Sequence, residues 1–467
     1  MSLVREPLSL SLPDALRRVL DGDPLFERAF LVGGCVRDAL LGIAPKDFDL
    51  EVYGADYVQL QRALARFGPT DLVGRAFGVV VLTLPDGSRV DFTLPRRDSR
   101  VGRGHRGFQV TPDPALDPAE AAARRDFTIN ALSFDPREAV VLDHHGGLAD
   151  LRAGVLRHTS AAFTEDPLRV LRALHFVSRF SLRVAPETVQ LCRSISDTYG
   201  ELARERVWAE WHKWARQGVT PSLGLAFLRD CDWLRHFPEL AAMVGTEQDE
   251  EWHPEGDVWT HTLHCADALA RDTAWRAAGD DTRTAWMFAV LLHDCGKPAT
   301  TSRELRAGRE RIVSPGHESA GVPLAQAFLE RIGAPHWVAQ RVCPLVMQHM
   351  TYMQAGTPRA VRRAASRLQP ETITGLAAVI RADVAGRPPL PAEPPQGYHD
   401  MLRVAAELEL RDRAPRPLLL GRHLLDRGWE PGRTLGPVLE EAFEAQLDGA
   451  FHDLDGALAW LEKRPRG

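Results

Sequence analysis

Asp47 and Asp49 lie two residues apart in the run Lys46-Asp-Phe-Asp-Leu-Glu-Val, and they are the first residues of the chain with the chemistry of a metal site. Alternate side chains of a strand share a face, so a strand here projects both carboxylates together. Mg2+ favours one or two carboxylates beside substrate phosphates, an arrangement suited to activating a ribose hydroxyl while pyrophosphate departs. Taken alone, the pair also fits a solvated strand face with alternating acids. Upstream, Leu31-Val-Gly-Gly-Cys-Val-Arg-Asp reads as a strand ending in a Gly33-Gly34 turn that opens a helix carrying Arg37. Bare backbone at such a turn can approach a triphosphate, although an ordinary tight turn looks the same. Further on, Arg124-Arg125-Asp126 precedes Asn130; guanidinium groups supply phosphate donors, and an acid beside an Asn supplies a ribose acceptor.

Elements to position these residues follow from the apolar pattern. Up to about residue 157, short apolar runs alternate with turn signals: Ala29 to Gly34, Phe77 to Leu84 ending at Pro85-Asp86-Gly87, Arg89 to Leu94, and Ala131 to Asp143. This predicts an α/β sheet. From Thr164 onward, Leu168, Leu171, Ala173, Leu174 and Phe176 repeat at helical spacing, and few strand-like runs follow. Thr164 is expected to be the N-cap of that helix, with acids in its first turn and Asp166 and Arg169 three apart on one face. A capped helix with an internal Asp166–Arg169 ion pair is the bland alternative. The acidic passage from Gly245 to Glu251 and the proline-rich segment Arg387 to Pro395 mark boundaries or long loops.

Taken together and in order, Gly-Gly, Val-Arg-Asp, Leu-Leu-Gly and then Asp-x-Asp resemble the first signature of the bacterial and eukaryotic class of tRNA nucleotidyltransferases and the related poly(A) polymerases. The likeness runs over roughly residues 28 to 390. It implies an α/β nucleotidyltransferase head (1–157), an all-α neck (158–245), an HD phosphohydrolase-like domain (246–395) and a helical tail (396–467). It also implies template-independent addition of CCA to tRNA 3′ ends from CTP and ATP. Asp47 and Asp49 would hold Mg2+, while Gly33, Gly34, Arg37, Arg125, Asp126, Asn130 and Arg172 would serve the nucleotide. Asp166 and Arg169 would read the base, with Glu165 orienting the arginine. That role is chemically sound: a carboxylate accepts from the amino group of cytosine or adenine and a guanidinium donates to ring acceptors, whereas uracil and guanine would set a carbonyl against the carboxylate. Asp143 to Leu151 resembles the family's hinge between head and neck. Arg204 to Glu210 resembles its last neck motif, a frame element with no direct catalytic role. The Arg- and Gly-rich stretch within Arg96 to Arg125, centred on residues 100–107, matches a loop needed for the final A, and its full length disfavours an enzyme limited to CC.

Downstream, His293-Asp294 after an apolar run resembles the HD hydrolase superfamily, with His261 as first ligand and Asp383 as last. Histidine nitrogens with carboxylates suit Ni2+, Mn2+ or Co2+, or Mg2+, and a water activated there would hydrolyse a 2′,3′-cyclic or terminal phosphate. His317 and His349 can extend the site toward a second metal, and His253 and His264 compete as neighbours. An A-only member of a split pair and a poly(A) polymerase are the alternative products. A head reduced to RNA binding, with HD as the sole enzyme, is disfavoured by the intact acids.

Composition sets the remaining bounds. The chain has 467 residues, more than one core usually organises, with 44% hydrophobic and 26% charged residues. No apolar run nears the roughly 20 residues of a membrane span. No signal or transit peptide is apparent, so no membrane association and a cytoplasmic location are expected, as a monomer or homodimer. A net charge of -6 argues against indiscriminate coating of nucleic acid. The six cysteines lack paired spacing, which suits reduced thiols and suggests neither a catalytic role nor a cysteine zinc site.

Overall fold

Apolar residues alternating with polar ones build the first half of the protein. In this computed structural model, which describes residues 3–73, 78–100, 108–354 and 356–464, ten strands precede residue 144. They are β1 (Val4–Pro7), β2 (Ala29–Val32), β3 (Phe48–Val52), β4 (Thr70–Val73), β5 (Val79–Thr83), β6 (Arg89–Thr93), β7 (Arg96–Arg100), β8 (Phe108–Pro112), β9 (Ser133–Asp135) and β10 (Val140–Asp143). Eight form one sheet in the order β1-β10-β9-β2-β3-β6-β5-β4, while β7 and β8 pair with each other. The β3–β6 pairing is parallel and sets Asp49 opposite Asp91. On both strands the apolar residues turn inward: Leu50, Val52, Val90 and Phe92 are buried with Leu31, Val80 and Leu82. Removing the Phe92 ring from this core would cost about 3–5 kcal/mol.

Two expectations are refined. Ala131 to Asp143 is a hairpin, β9 and β10, turned where the Asp135 side chain accepts from the Arg137 amide at 2.9 Å. Thr164 is not the N-cap of the first long helix. A 3-10 turn, Ala161–Glu165, is capped by Ser160, and the α-helix Leu168–Phe180 begins only after Pro167. A residue before proline is pushed toward extended backbone, so Asp166 breaks the helical run. The Arg96 to Arg125 passage holds β7, β8 and the helix Pro118–Ala123, and its central residues 101–107 lie outside the described residues, as does Phe77.

The chain divides into two compact units, Met1–Glu210 with Ala226–Trp233, and Trp211–Leu225 with Leu234–Gly467. In the first, Phe127 packs on Phe163 and Phe176, each with ring centroids 5.7 Å apart, joining the sheet end to the helix Leu168–Phe180. The second unit is helical around Trp211, whose ring meets Phe237 at 5.1 Å and Phe328 at 5.3 Å. Its helix Asp280–Leu292 is buried from Thr284 to Leu292, which explains the apolar run without one polar face. A hairpin, Ser302–Arg306 with Arg309–Val313, interrupts the helices. The acidic passage serves it: Glu247 pairs with Arg303, and Asp249 and Glu251 with Arg311. Beyond residue 400, Leu424, Ala442, Ala457 and Leu461 form a small core of their own. No helix among the described residues is long and apolar enough to cross a membrane.

Candidate functional site

Asp47 stands one residue ahead of β3 and Asp49 lies within it; both are exposed, alternating with half-buried Phe48 and buried Leu50. Although Asp49 reaches solvent, surrounding protein removes much of its water. That desolvation first, then repulsion from Asp91 and Asp47 against the pull of Arg125, raises its carboxyl above the usual range. Three acids crowd here with one arginine, an imbalance that a divalent cation would relieve. Asp91 was not distinguished in the sequence, because only the β3–β6 register brings it beside Asp49.

Gly33 carries a φ of +75°, and a Cβ there would lie 3.1 Å from Arg125 Nη1. Glycine therefore lets the arginine lie against the turn, with its Nη2 3.8 Å from Glu51 Oε1. Gly34 begins the helix Gly34–Leu40. On that helix, Arg37 is buried and occupied: Nη1 donates to Asn130 Oδ1 at 2.6 Å, Nε donates to Asp38 Oδ1 at 2.9 Å, and the guanidinium lies over Phe180. Asn130 Nδ2 in turn donates to Asp126 Oδ1 at 3.0 Å, and Arg172 Nε donates to Asp126 Oδ2 at 2.7 Å. Burial alone would raise the Asp126 carboxyl, but Arg172 and Asn130 outweigh it and hold the group below its ordinary value.

The Asp166–Arg169 ion pair of the bland reading is not what fixes these residues. Arg169 donates from Nη1 to Ala162 O and from Nη2 to Arg124 O, both at 2.7 Å. Asp166 accepts from the Leu168 amide at 3.1 Å and from Arg206 Nη2 at 2.8 Å. Glu165 accepts from Arg124 Nη2 at 2.9 Å, so its link to Arg169 passes through Arg124. Arg206 lies in the motif read as frame only; nothing in its local spacing connects it to Asp166.

In the second unit, five segments bring histidines and acids together. Asp257 caps the helix Val258–Arg271, accepting from the Thr260 amide at 2.8 Å, and this helix carries His261. His293 and Asp294 end the buried helix Asp280–Leu292, His317 starts the helix His317–Arg331, His349 follows His336–Gln348, and Asp383 lies on Ile373–Ala385. His261 Nε2 is 3.2 Å from Asp383 Oδ1, 3.7 Å from Asp294 Oδ2 and 3.4 Å from His293 Nε2. On the other side of Asp294, Oδ1 is 3.3 Å from His317 Nε2 and 3.8 Å from His349 Nε2. Asp294 thus faces two groups of ligands with its two oxygens.

Tautomers follow from the Nδ1 partners. His317 Nδ1 donates to Ser314 O at 2.8 Å and His349 Nδ1 to Val346 O at 2.7 Å, leaving their Nε2 atoms as acceptors only 3.1 Å apart. Two nitrogens facing one another at that distance are held by a proton or a metal ion shared between them. Burial, then His293, pushes His349 down to about 3, so its ring is neutral and able to ligate. His293 Nδ1 likewise donates to Val290 O at 2.7 Å. His261 differs: burial alone would lower it, but Cys265, Asp383 and Glu255 outweigh burial and raise it above its usual value. Asp294 Oδ2 has Lys297 Nζ 2.7 Å away but no aligned hydrogen bond. These donors fit a divalent metal, singly or as a pair.

Residues 29–157 match the family model described as the poly A polymerase head domain, and residues 258–383 match the HD domain. A multifunctional CCA protein from Xanthomonas campestris is 39% identical over 373 residues, which is 77% of this chain and 85% of that protein. The chain belongs to the CCA-adding tRNA nucleotidyltransferase family. Another CCA-family relative, a multifunctional CCA protein of Vibrio vulnificus, is 35% identical over 396 residues, covering 82% of this chain and 91% of its own. The fold resembles the Thermotoga maritima CCA-adding enzyme complexed with tRNA, with a TM-score of 0.61 at 19% identity over 99% of this chain and 100% of that one. It also resembles the Bacillus stearothermophilus CCA-adding enzyme in complex with CTP, with a TM-score of 0.62 at 19% identity over 97% and 98% of the two chains. At these identities the structural likeness is one of fold.

Beyond the residues that identify the CCA-adding family, the structure adds others that spacing could not have found. Glu255 accepts from His261 Nδ1 at 2.7 Å and lies 2.9 Å from His253 Nδ1; burial alone would raise it, but the two histidines bring it to about 2. Such a carboxylate partner sets the tautomer of a ligating imidazole. His253, with Glu255, therefore joins the site's edge, whereas His264 belongs to none of the metal-compatible groups among the described residues.

Proposed function

We propose that this chain adds C, C and then A to tRNA 3′ ends from CTP and ATP, without a nucleic-acid template. The observation that carries this reading is that Asp166 and Arg169 are each fixed by third parties, Arg206 and the carbonyls of Ala162 and Arg124, rather than by one another. Their remaining hydrogen-bonding capacity is directed to a base edge. Cytosine and adenine both offer an exocyclic amino donor to the carboxylate and a ring acceptor to the guanidinium, so one protein template accepts both.

In this reading Asp47 and Asp49, with Asp91, hold Mg2+, which when bound supplies Lewis acidity to the attacking ribose hydroxyl and the departing pyrophosphate. Arg125 meets the phosphates beside the bare backbone of Gly33 and Gly34. Asp126 and Asn130 accept from and donate to the ribose, positioned by Arg172 and Arg37 respectively. We assign residues 1–157 to the head, 158–245 to the neck, 246–395 to the HD domain and 396–467 to the tail, acting in the cytoplasm.

The HD residues support a second activity, hydrolysis of a terminal or 2′,3′-cyclic phosphate, so that both centres address one RNA end. His261, His293, Asp294 and Asp383 hold one divalent ion (Ni2+, Mn2+ or Co2+, or Mg2+), and Asp294 with His317 and His349 is suited to a second. An ion there supplies positive charge to a phosphoryl oxygen and acidifies water. Lys297, buried against Asp294 and donating to Gln248 Oε1 at 2.8 Å, adds a fixed positive charge for an anionic substrate.

The test is incorporation of labelled CTP and ATP into tRNAs ending before CCA, after C and after CC. Addition of the missing nucleotides followed by one A supports the proposal. Addition of A only to the CC-ended tRNA makes the chain one half of a split pathway, and long A tails make it a polymerase.

A further inference from the structure

We propose that Cys265 is a thiolate ligand of the HD centre, which adapts this site to a borderline or soft divalent transition ion in preference to Mg2+. The inference rests on the metal reading of His261, His293 and Asp383 given above. Cys265 lies one turn beyond His261 on the helix Val258–Arg271, and spacing of four residues puts both on one face. It is fully buried, and its Sγ lies 3.3 Å from His261 Nε2. His261, Cys265, His293 and Asp383 each offer one ligand atom, and all four atoms lie within 4.8 Å of one another.

The separations fit a shared ion. Metal–sulfur and metal–nitrogen bonds of about 2.3 and 2.1 Å at tetrahedral angles place S and N about 3.6 Å apart and two nitrogens about 3.4 Å apart. The observed values are 3.3 Å for Cys265–His261 and 3.4 Å for His261–His293. A further carboxylate oxygen converges on the same atoms: Asp294 Oδ2, almost wholly buried, lies 3.3 Å from His293 Nε2 and 3.7 Å from His261 Nε2, and has Lys297 Nζ at 2.7 Å but no aligned hydrogen bond.

A buried cysteine is more often a small apolar filler, but the surroundings of this one differ from those of a filler. The neighbouring helix end provides clearance through Gly386, where a Cβ would fall 2.2 Å from Sγ. Besides His261, the sulfur has a long contact with Asp383 O at 3.9 Å. On metal binding the S–H bond breaks, its proton passes to solvent and the electron pair stays on sulfur to bond the ion; no electron transfer is involved. Thiolate donors favour zinc, cobalt or nickel over Mg2+, whose preference is for oxygen.

The full chain, stripped with a chelator and reloaded with Co2+, tests this by absorption spectroscopy. A near-ultraviolet sulfur-to-cobalt charge-transfer band is expected beside the visible ligand-field bands. Cys265→Ser should lose the first and keep the second, with Co2+ affinity lowered at least about tenfold. Cys343→Ser, altering a half-buried thiol outside the metal groups, should keep both. X-ray absorption at the cobalt edge of the unaltered protein serves if the Cys265 variant does not fold: a sulfur scatterer near 2.3 Å is expected. Ligand-field bands with only nitrogen and oxygen scatterers would overturn the cysteine assignment and leave the metal reading intact. Failure of the protein to bind Co2+ would overturn both.

Discussion

Arg206 grips Asp166 with both ends of its guanidinium, Nη2 2.8 Å from Oδ2 and Nη1 3.4 Å from Oδ1, across forty positions of chain. The acid proposed to read the base is therefore aimed from a different helix. Arg206→Ala should lower incorporation of C and A by roughly ten- to a hundredfold, through loss of the charge-assisted contact that holds Asp166, and should raise misincorporation of U and G. Arg206→Lys should recover only part, because it keeps the charge without the fork. Incorporation of each of the four nucleotides into tRNAs ending before CCA and after CC measures this. Unchanged selectivity in the alanine variant would remove Arg206 from base reading.

Asp126 and Arg172 make a buried pair whose effect depends on pH. The folded carboxyl sits below its ordinary value, so its contribution to stability is fully present above about pH 4 and is lost as pH falls through the depressed folded value. Arg172→Met strands a buried charge and should cost about 3–5 kcal/mol at pH 7. That difference should shrink on acidification as Asp126 becomes neutral. Urea unfolding of both proteins at pH 7 and at about pH 3 measures it; a gap that does not depend on pH would show that packing, not charge, is what the arginine supplies.

For Asp49 the sign is opposite. Its folded carboxyl is raised, so the folded state holds the proton more tightly and stability declines as pH rises through that value. Asp49→Asn should melt no lower than the parent at pH 7 without added divalent ions, while nucleotide incorporation falls at least about a hundredfold. A clearly lower melting temperature would mean that the charge is compensated in the fold.

The two chemistries should separate. Asp294→Ala removes the carboxylate that faces both histidine groups, so ring opening of 2′,3′-cyclic ends and phosphate release from phosphate-ended RNA should vanish while CTP and ATP incorporation persist. Asp47→Ala should do the reverse. Loss of incorporation in the Asp294 variant, with its melting profile unchanged, would contradict independent centres.

Residues that act through their neighbours along the chain were legible in the sequence. Asp47 and Asp49, Gly33 and Gly34, and His293 with Asp294 sit in short runs whose spacing alone suggests a turn, a strand or a ligand pair. The sheet was legible for the same reason, because period-two burial in β3 and β6 is written in Leu50, Val52, Val90 and Phe92. What escaped were partners supplied by pairing and packing at a distance. Asp91 depends on strand register, Arg206 on the approach of a second helix, and Glu255 and Cys265 on how a loop and a helix face converge on His261. The start of the helix at Leu168 escaped differently: Thr164 is a good capping residue, and the constraint imposed by Pro167 outweighed it.

Parallel pairing of β3 with β6 has a consequence for the quality of the enzyme population. The ladder that buries Leu50 and Phe92 is the one that sets Asp49 against Asp91, so a slip of one residue would turn the acids inward and the core outward. On the metal role proposed for these acids, head folding and arming of the site are thus one event. Molecules that misregister these strands lose their core and their chemistry together, and extension of RNA ends is confined to chains that have folded correctly.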